Sequence, residues 1–313
     1  MTTQQLKYVL TLAETKSFSI ASKKLYITQP ALSLYIMNLE EQLGVSLFDR
    51  SSSPIKLTSV GEEYIRIAQK ILDLESELEN KISDILELKQ GLLSVGVTPI
   101  RGSYLIADSI FLYNQKYPGI KINMIEYEMS KLMDSLFEGS IDFFIGNAPV
   151  QNNLLTTKTI GMEHLFLAIP RNNSNNKILE QYQIPLKEII ENKYTPRTPV
   201  DFSIFSNDPF IILQPNQTIH NLMLDLCNKA GFEPNIVLKT NKLDTAYSLV
   251  QKGLGSTIVS DTLIRHANLK EHPIYYALPE KSSVRNIIVV YKKNRYLSNM
   301  AEEFISILKH NLI

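Results

Sequence analysis

Residues 17–61 read SFSIASKKLYITQPALSLYIMNLEEQLGVSLFDRSSSPIKLTSVG and set out a short helix, a turn, a second helix and a serine-rich loop, the order of a helix-turn-helix with a wing. In the second helix Leu32, Ile36, Leu39 and Leu43 recur at steps of four, three and four, which puts them on one stripe facing a core. Thr28 is placed to cap this helix by accepting from its free amides, and Pro30 sits in the first turn, where a missing N–H costs nothing. The opposite face near that start carries Gln29, Pro30, Ser33, Leu34, Met37 and Asn38. Presented to a DNA major groove, Gln29 reads adenine through two hydrogen bonds and Leu34 meets a thymine methyl.

These residues resemble the N-terminal domain of the LysR-type transcriptional regulators. The resemblance runs through Ser17-Phe18, Ala21 to Leu25, Thr28-Gln29-Pro30-Ala31-Leu32-Ser33, Leu39-Glu40, Leu43-Gly44, Leu47-Phe48-Asp49-Arg50, Leu57-Thr58 and Gly61. It implies double-stranded DNA as partner, with the second helix in the groove and Arg50 and the wing, including Lys56, on the phosphate backbone. The chain departs from the family pattern where Leu34, Met37 and Asn38 replace basic residues of the recognition helix and Ser51-Ser52-Ser53 occupies the wing. Residues 1–60 hold six Lys or Arg against four acids, so few ionic contacts and a shallow salt dependence are expected. The competing reading is a helical hairpin that docks on another protein.

The bulk numbers suit a folded protein of two or three domains: 313 residues, 44% hydrophobic and 20% charged. With 32 acids against 32 bases there is no general basic coat, and DNA binding must come from local placement. The first twenty residues lack the pattern of a secretory signal and no later segment has eighteen apolar residues in a row, so a cytoplasmic protein without membrane contact is expected. The single cysteine, Cys227, lies among Leu222, Met223, Leu224 and Leu226 and reads as a buried structural thiol; Lys229 is the one cation beside it, which argues against a redox sensor.

Leu6, Val9, Leu10 and Ala13 mark a first helix over 4–14 that closes the core beneath the recognition helix. From 59 to 90 the chain has no proline, and Tyr64, Ile67, Ile71, Leu74, Leu78, Ile82 and Ile85 recur by threes and fours, predicting one long helix with a coiled-coil-like seam. That seam needs a second copy or the C-terminal domain to cover it. In the family this helix is the dimerising linker, which implies a homodimer on a roughly palindromic operator.

After Gly91 short β-rich runs alternate with helices, the signature of an α/β sheet. Strands are expected at 92–97, 120–127, 141–146, 164–169, 210–213, 235–240, 256–259, 274–278 and 286–291, and helices at 103–116, 131–138, 186–191, 219–230, 244–251 and 297–310. The resemblance continues in Gly139-Ser140-Ile141-Asp142, Ala230 to Pro234 and Val250 to Gly255. It implies a fold like that of periplasmic binding proteins, two lobes joined by two crossovers. The expected division is residues 1–60 for DNA, 61–90 for the linker and 91–313 for effector binding, with lobe I at 91–162 and 267–313 and lobe II at 163–266.

Between two such lobes a ligand sits beyond the carboxyl ends of the strands. Thr98, Pro99, Ile100 and Arg101 reach that place from one lobe and Asn216, Gln217, Thr218 and His220 from the other, with Gly146, Asn147 and Ala148 opposite Ser256 and Thr257. Two helix N-termini and Arg101 favour a small anion, such as a metabolite carboxylate, and His220 would make its affinity depend on pH. No cofactor or metal is expected: the five histidines show no metal-ligand spacing, and Gly253-Leu254-Gly255 lacks the third glycine of a dinucleotide fingerprint. The chain therefore reads as a ligand-responsive transcription factor, dimeric through the linker and tetrameric through its C-terminal lobes. The alternative is a small-molecule-binding protein of periplasmic-binding-protein type, or an enzyme on that fold, without a DNA role.

Overall fold

The computed structural model describes residues 2–51, 54–85, 90–195, 197–215, 217–293 and 295–312. Ser52, Ser53, Asn216 and the predicted linker segment 86–89 lie outside the described residues.

The N-terminal head packs α1 (Thr3–Thr15), α2 (Phe18–Lys24) and α3 (Gln29–Leu43) around Val9, Leu12, Ala21, Leu32, Ile36 and Leu39. Each helix opens on a hydroxyl that satisfies an orphan amide: Thr2 accepts from Gln5, Ser17 from Ile20 and Thr28 from Ala31. Helix α3 stops at Gly44, whose φ of +70° costs a glycine nothing. The expected stripe falls short at this end: Leu43 is 44% exposed, because the last turn of α3 extends past the edge of the core. In α1 the buried line is Leu6, Val9 and Leu12, with Leu10 and Ala13 only half covered.

Strands β1 (Phe48–Asp49) and β2 (Lys56–Leu57) pair antiparallel as the wing. The first turn of α4 (Ser59–Ile85) then rests on the Leu47 carbonyl at Gly61, where any Cβ would collide with that oxygen. One side of α4 carries exposed Ile67, Leu74, Leu78 and Ile82. Another is fastened to the C-terminal domain: Lys292 Nζ donates to both Asp73 oxygens at 2.8 Å, Arg295 Nη2 donates to Ser76 Oγ, and Gln69 Nε2 donates to the Glu138 carbonyl at 3.0 Å.

In the first lobe β3 (Gly91–Val97) leads into α5 (Pro99–Tyr104) and α6 (Ala107–Lys116). It runs parallel to β4 (Ile120–Glu126) and, beyond α7 (Met129–Phe137), to β5 (Phe143–Asn147). The chain leaves along β6 (Leu155–Ile169). The second lobe holds α8 (Asn175–Ile178), β7 (Gln183–Ile184), α9 (Leu186–Ile190), β8 (Pro209–Leu213), α10 (Thr218–Lys229), β9 (Asn235–Thr240), α11 (Leu243–Gln251), β10 (Thr257–Ser260), α12 (Asp261–His266) and β11 (Ile274–Ala277). After α13 (Glu280–Ser283), β12 (Val284–Lys292) returns to the first lobe and α14 (Asn299–Asn311) closes its core against Tyr113 and Phe143.

Strand β6 binds both lobes: Leu155 to His164 pair with β12, and Leu165 to Ile169 lie between β10 and β11. It begins at Leu155, not at 164 as expected, because residues 155–163 carry Thr, Lys and Gly on a half-covered surface and hide the apolar alternation. The helix expected at 103–116 is two, α5 and α6, interrupted at Leu105 and Ile106. The lobe boundary also moves. Tyr275, Tyr276, Ala277 and Leu278 belong to the second lobe's core, because β11 pairs with the lobe II half of β6, so the return crossover lies at α13 and β12 and not at 267. Cys227 is fully buried in that core, and burial pushes its thiol up to about 11.

Ile36→Ala, which empties a fully buried site in the head, should lower stability by about 2–5 kcal/mol. Leu43→Ala should stay within about 0.5 kcal/mol. Urea unfolding followed by far-UV circular dichroism tests both.

Candidate functional site

On the head, Gln29, Pro30, Leu34, Met37 and Asn38 are all exposed along one face of α3, and Ser33 is half-buried. Leu34 is 54% exposed and Met37 41%. Thr28 spends its hydroxyl on the cap. Lys56 is exposed on β2 opposite Asp49. Arg50, expected on phosphate, is committed to the head itself: Nη2 donates to Glu40 Oε2 at 2.7 Å, and its guanidinium lies 5.4 Å from the Phe18 ring centre. Glu40 also accepts from the amides of Leu47 and Phe48, so Arg50 holds the wing's root to α3. Tyr26, in the turn before α3, was not among the expected residues; it is 96% exposed and held at φ +56°.

At the waist between the lobes the centre is a carboxylate, Glu163, on the crossover strand β6. Its Oε1 accepts from Arg101 Nη2 at 2.6 Å, from Asn147 Nδ2 at 2.6 Å and from Arg285 Nε. Arg285 stands directly across the strand pair from Glu163, and its Nη1 donates to Thr218 Oγ1 at 3.2 Å, at the start of α10 in the second lobe. Thr262 Oγ1 donates to Glu163 Oε2 at 3.5 Å, and Asp261 beside it lies 3.4 Å from His164 Nδ1. Residues from both lobes and both crossovers thus meet on one carboxyl group.

Several expected residues converge here and others do not. Arg101, Asn147 and Thr218 belong to the network. Thr98 is the N-cap residue of α5 without a capping bond, Pro99 is exposed, and Ile100 packs against the second lobe's core. Arg101 is 2% exposed, so the cation that a diffusing anion would meet is Arg285 and not Arg101. Gly146 lies against Met129, and the Ala148 amide donates to the Asn286 carbonyl. Gln217 donates to the Asn241 carbonyl. His220 is buried with Nδ1 2.7 Å from the Leu213 carbonyl, so it ties α10 to β8 and does not face an anion. Ser256 and Thr257 are buried too, Thr257 donating to the Ile211 carbonyl at 2.8 Å.

Glu163 and Arg285 were missed, although each is a lone charge entering an otherwise apolar strand, MEHLFLAI and VRNIIVVY. That pairing of opposite signs is a readable signal. One helix along, Tyr104 of α5 with Tyr247 and Ser248 of α11 and Leu263 of α12 border a concavity of about 420 Å³. Among the described residues no cluster of three or more His, Cys, Asp or Glu side chains is placed to hold a metal ion.

Burial alone would raise the Glu163 carboxyl, but the charges of Arg285 and Arg101 and the bond from Asn147 outweigh it and hold the group at about 2. Unfolding returns it to roughly 4.3. The network's stabilisation is therefore complete above that pH and lost as pH falls towards about 2. Urea unfolding at a series of acid pH values should show a shallower pH dependence for Glu163→Gln than for the wild type across that window.

The chain matches the bacterial regulatory helix-turn-helix model of the lysR family over residues 3–62 and the LysR substrate binding domain over residues 87–312. The HTH-type transcriptional regulator YybE of Bacillus subtilis is 30% identical over 301 residues, covering 96% of each chain. A probable RuBisCO transcriptional regulator of Porphyra purpurea is 27% identical, covering 97% of this chain and 92% of its own. Among solved structures, a full-length OxyR variant from Pseudomonas aeruginosa superposes with a TM-score of 0.68 at 22% identity, covering 100% of this chain and 94% of that one. CbnR complexed with its target DNA gives 0.59 at 19% identity, covering 99% and 100%. At those identities the two structures establish the shared fold, while the sequence relatives are regulators and not enzymes. The head, the linker and the two-lobed domain together make this chain a member of the LysR family of DNA-binding transcriptional regulators, with a C-terminal effector-binding domain.

Proposed function

We propose that the chain works in the cytoplasm as a homodimer through α4 and a homotetramer through its C-terminal lobes, reading a roughly palindromic operator under control of a small anion bound at the waist. The exposed face of α3 carries the DNA part: Gln29, Pro30, Ser33, Leu34, Met37 and Asn38 enter the major groove. Lys56 approaches phosphate, and Tyr26, projecting from the turn, offers a hydroxyl to the backbone. Arg50 supports the wing from behind. Cytoplasmic action agrees with the absence, among the described residues, of any helix long and apolar enough to cross a membrane.

Ile67, Leu74, Leu78 and Ile82 support pairing through α4, since an open apolar stripe on a helix is covered by a second copy of itself at little cost. Two such pairs bring four heads to the operator. The anion reading rests on Arg285, half-buried at the seam and reaching the N-terminus of α10, where Thr218 and the helix's free amides add to its pull. Thr98 and Asn147 border the same seam from the first lobe.

Gln29→Ala should weaken operator binding by about 1–3 kcal/mol and relax base preference at one position per half-site. Lys56→Ala should weaken binding evenly across sequences and lower the salt slope by about 1. Gel shifts on the upstream region of its own gene across salt concentrations test both, and equal binding of both variants and the wild type would refute the interface. Leu74→Glu with Leu78→Glu should break the α4 pairing and turn the tetramer into dimers held through the C-terminal lobes in sedimentation velocity. A footprint that no member of a broad carboxylate panel alters would count against the anion.

A further inference from the structure

The waist already contains a carboxylate. Two guanidinium groups, Arg101 and Arg285, and the Asn147 amide converge on one oxygen of Glu163, the arrangement with which a protein recognises a free carboxylate ligand. Arg101 is buried to 2% exposure, and among the described residues its Nε and Nη1 have no hydrogen-bond partner, so Glu163 is the acceptor its buried charge chiefly relies on. The acceptor belongs to the chain itself and lies where the lobes meet: Glu163 is the last residue but one of β6 to pair with β12, and two residues later Leu165 pairs with β10.

We propose that Glu163 is a tethered ligand, a carboxylate built into the crossover that fills the anion position of the waist and holds the lobes together without any added molecule. Resting on the reading of the waist as the effector site, it follows that an effector anion acts by competing for Arg285. When the anion pairs with the Arg285 guanidinium, Glu163 keeps Arg101 and Asn147 but loses its cross-strand partner, and the bond that ties the crossover to Thr218 of the second lobe is contested with it. Glu163 then sets the threshold of the response, since the effector must outbid a neighbour already in place.

The test is replacement of the tethered group by a free one. Glu163→Gly opens the position and strands two cations, and Glu163→Gln keeps the volume without the charge. Thermal unfolding and operator binding of each full-length variant are measured in sodium formate, sodium acetate and sodium chloride at equal ionic strength. In chloride the Glu163→Gly variant should melt several degrees below the wild type and bind DNA less tightly. Formate should restore about half of that loss or more, acetate less because of its methyl group, and the wild type should not distinguish the three salts. Should Glu163→Gly fail to fold, a formate-specific rise in the melting temperature of Glu163→Ala, which also opens the position, supports the same conclusion.

The proposal is overturned if formate acts no differently from chloride on Glu163→Gly (or on Glu163→Ala where Glu163→Gly does not fold), if both stay unfolded in formate as in chloride, or if formate raises Glu163→Gln, whose side chain still fills the position, as much as it raises the opened variant. The two readings fail separately. Formate-specific recovery beside a wild type whose footprint ignores every carboxylate leaves the tethered ligand standing and removes the effector anion. A wild type that answers an added anion, beside an opened variant blind to formate, removes the tethered ligand alone.

Discussion

Backbone pairing between β6 and β12 is the constraint on which the rest depends. Nine register pairs, from Leu155 with Lys292 to His164 with Val284, clamp the outgoing and returning crossovers side by side. Strand β6 then continues between β10 and β11, so the two lobes share one strand and not merely a linker. A strand with a side chain on alternate faces cannot slip by one residue without exchanging its buried and exposed sets. The opposition of Glu163 and Arg285 is fixed by that register.

Charge was placed against this frame with economy. A lone Arg101 at its depth would be strongly disfavoured, and a lone Glu163 equally so; together with Arg285 and Asn147 each is supplied with a counter-charge and hydrogen bonds. The head follows the same rule at lower stakes. Glu40 gathers two wing amides and Arg50 at the end of α3, so the wing's arginine helps fix its shape, while Lys56 stays exposed.

Much of this was legible in the chain because the signals were local. Thr28 and Gly44 bound α3 through cap chemistry, and Leu32, Ile36 and Leu39 faced the core as their spacing requires. The order of strands and helices after Gly91 followed from runs of β-branched residues. What stayed hidden was set by long-range pairing. The first half of β6 reads as polar because one face is only partly covered, and β11 joins the second lobe through partners a hundred residues away. Arg101 and His220 were visible as polar residues near the strand ends, but burial and the identity of their partners decided what each does, and neither is encoded nearby.

Strand β12 carries one more implication. Arg285 sits near its beginning at the waist, and Lys292, its final residue, grips Asp73 in the middle of α4. Every residue of β12 from one point to the other is paired with β6, with one register shift between Ile287 and Ile288. It therefore joins the waist to the shaft that carries the DNA-reading head through one short, continuous run of paired backbone, as a tie rod would.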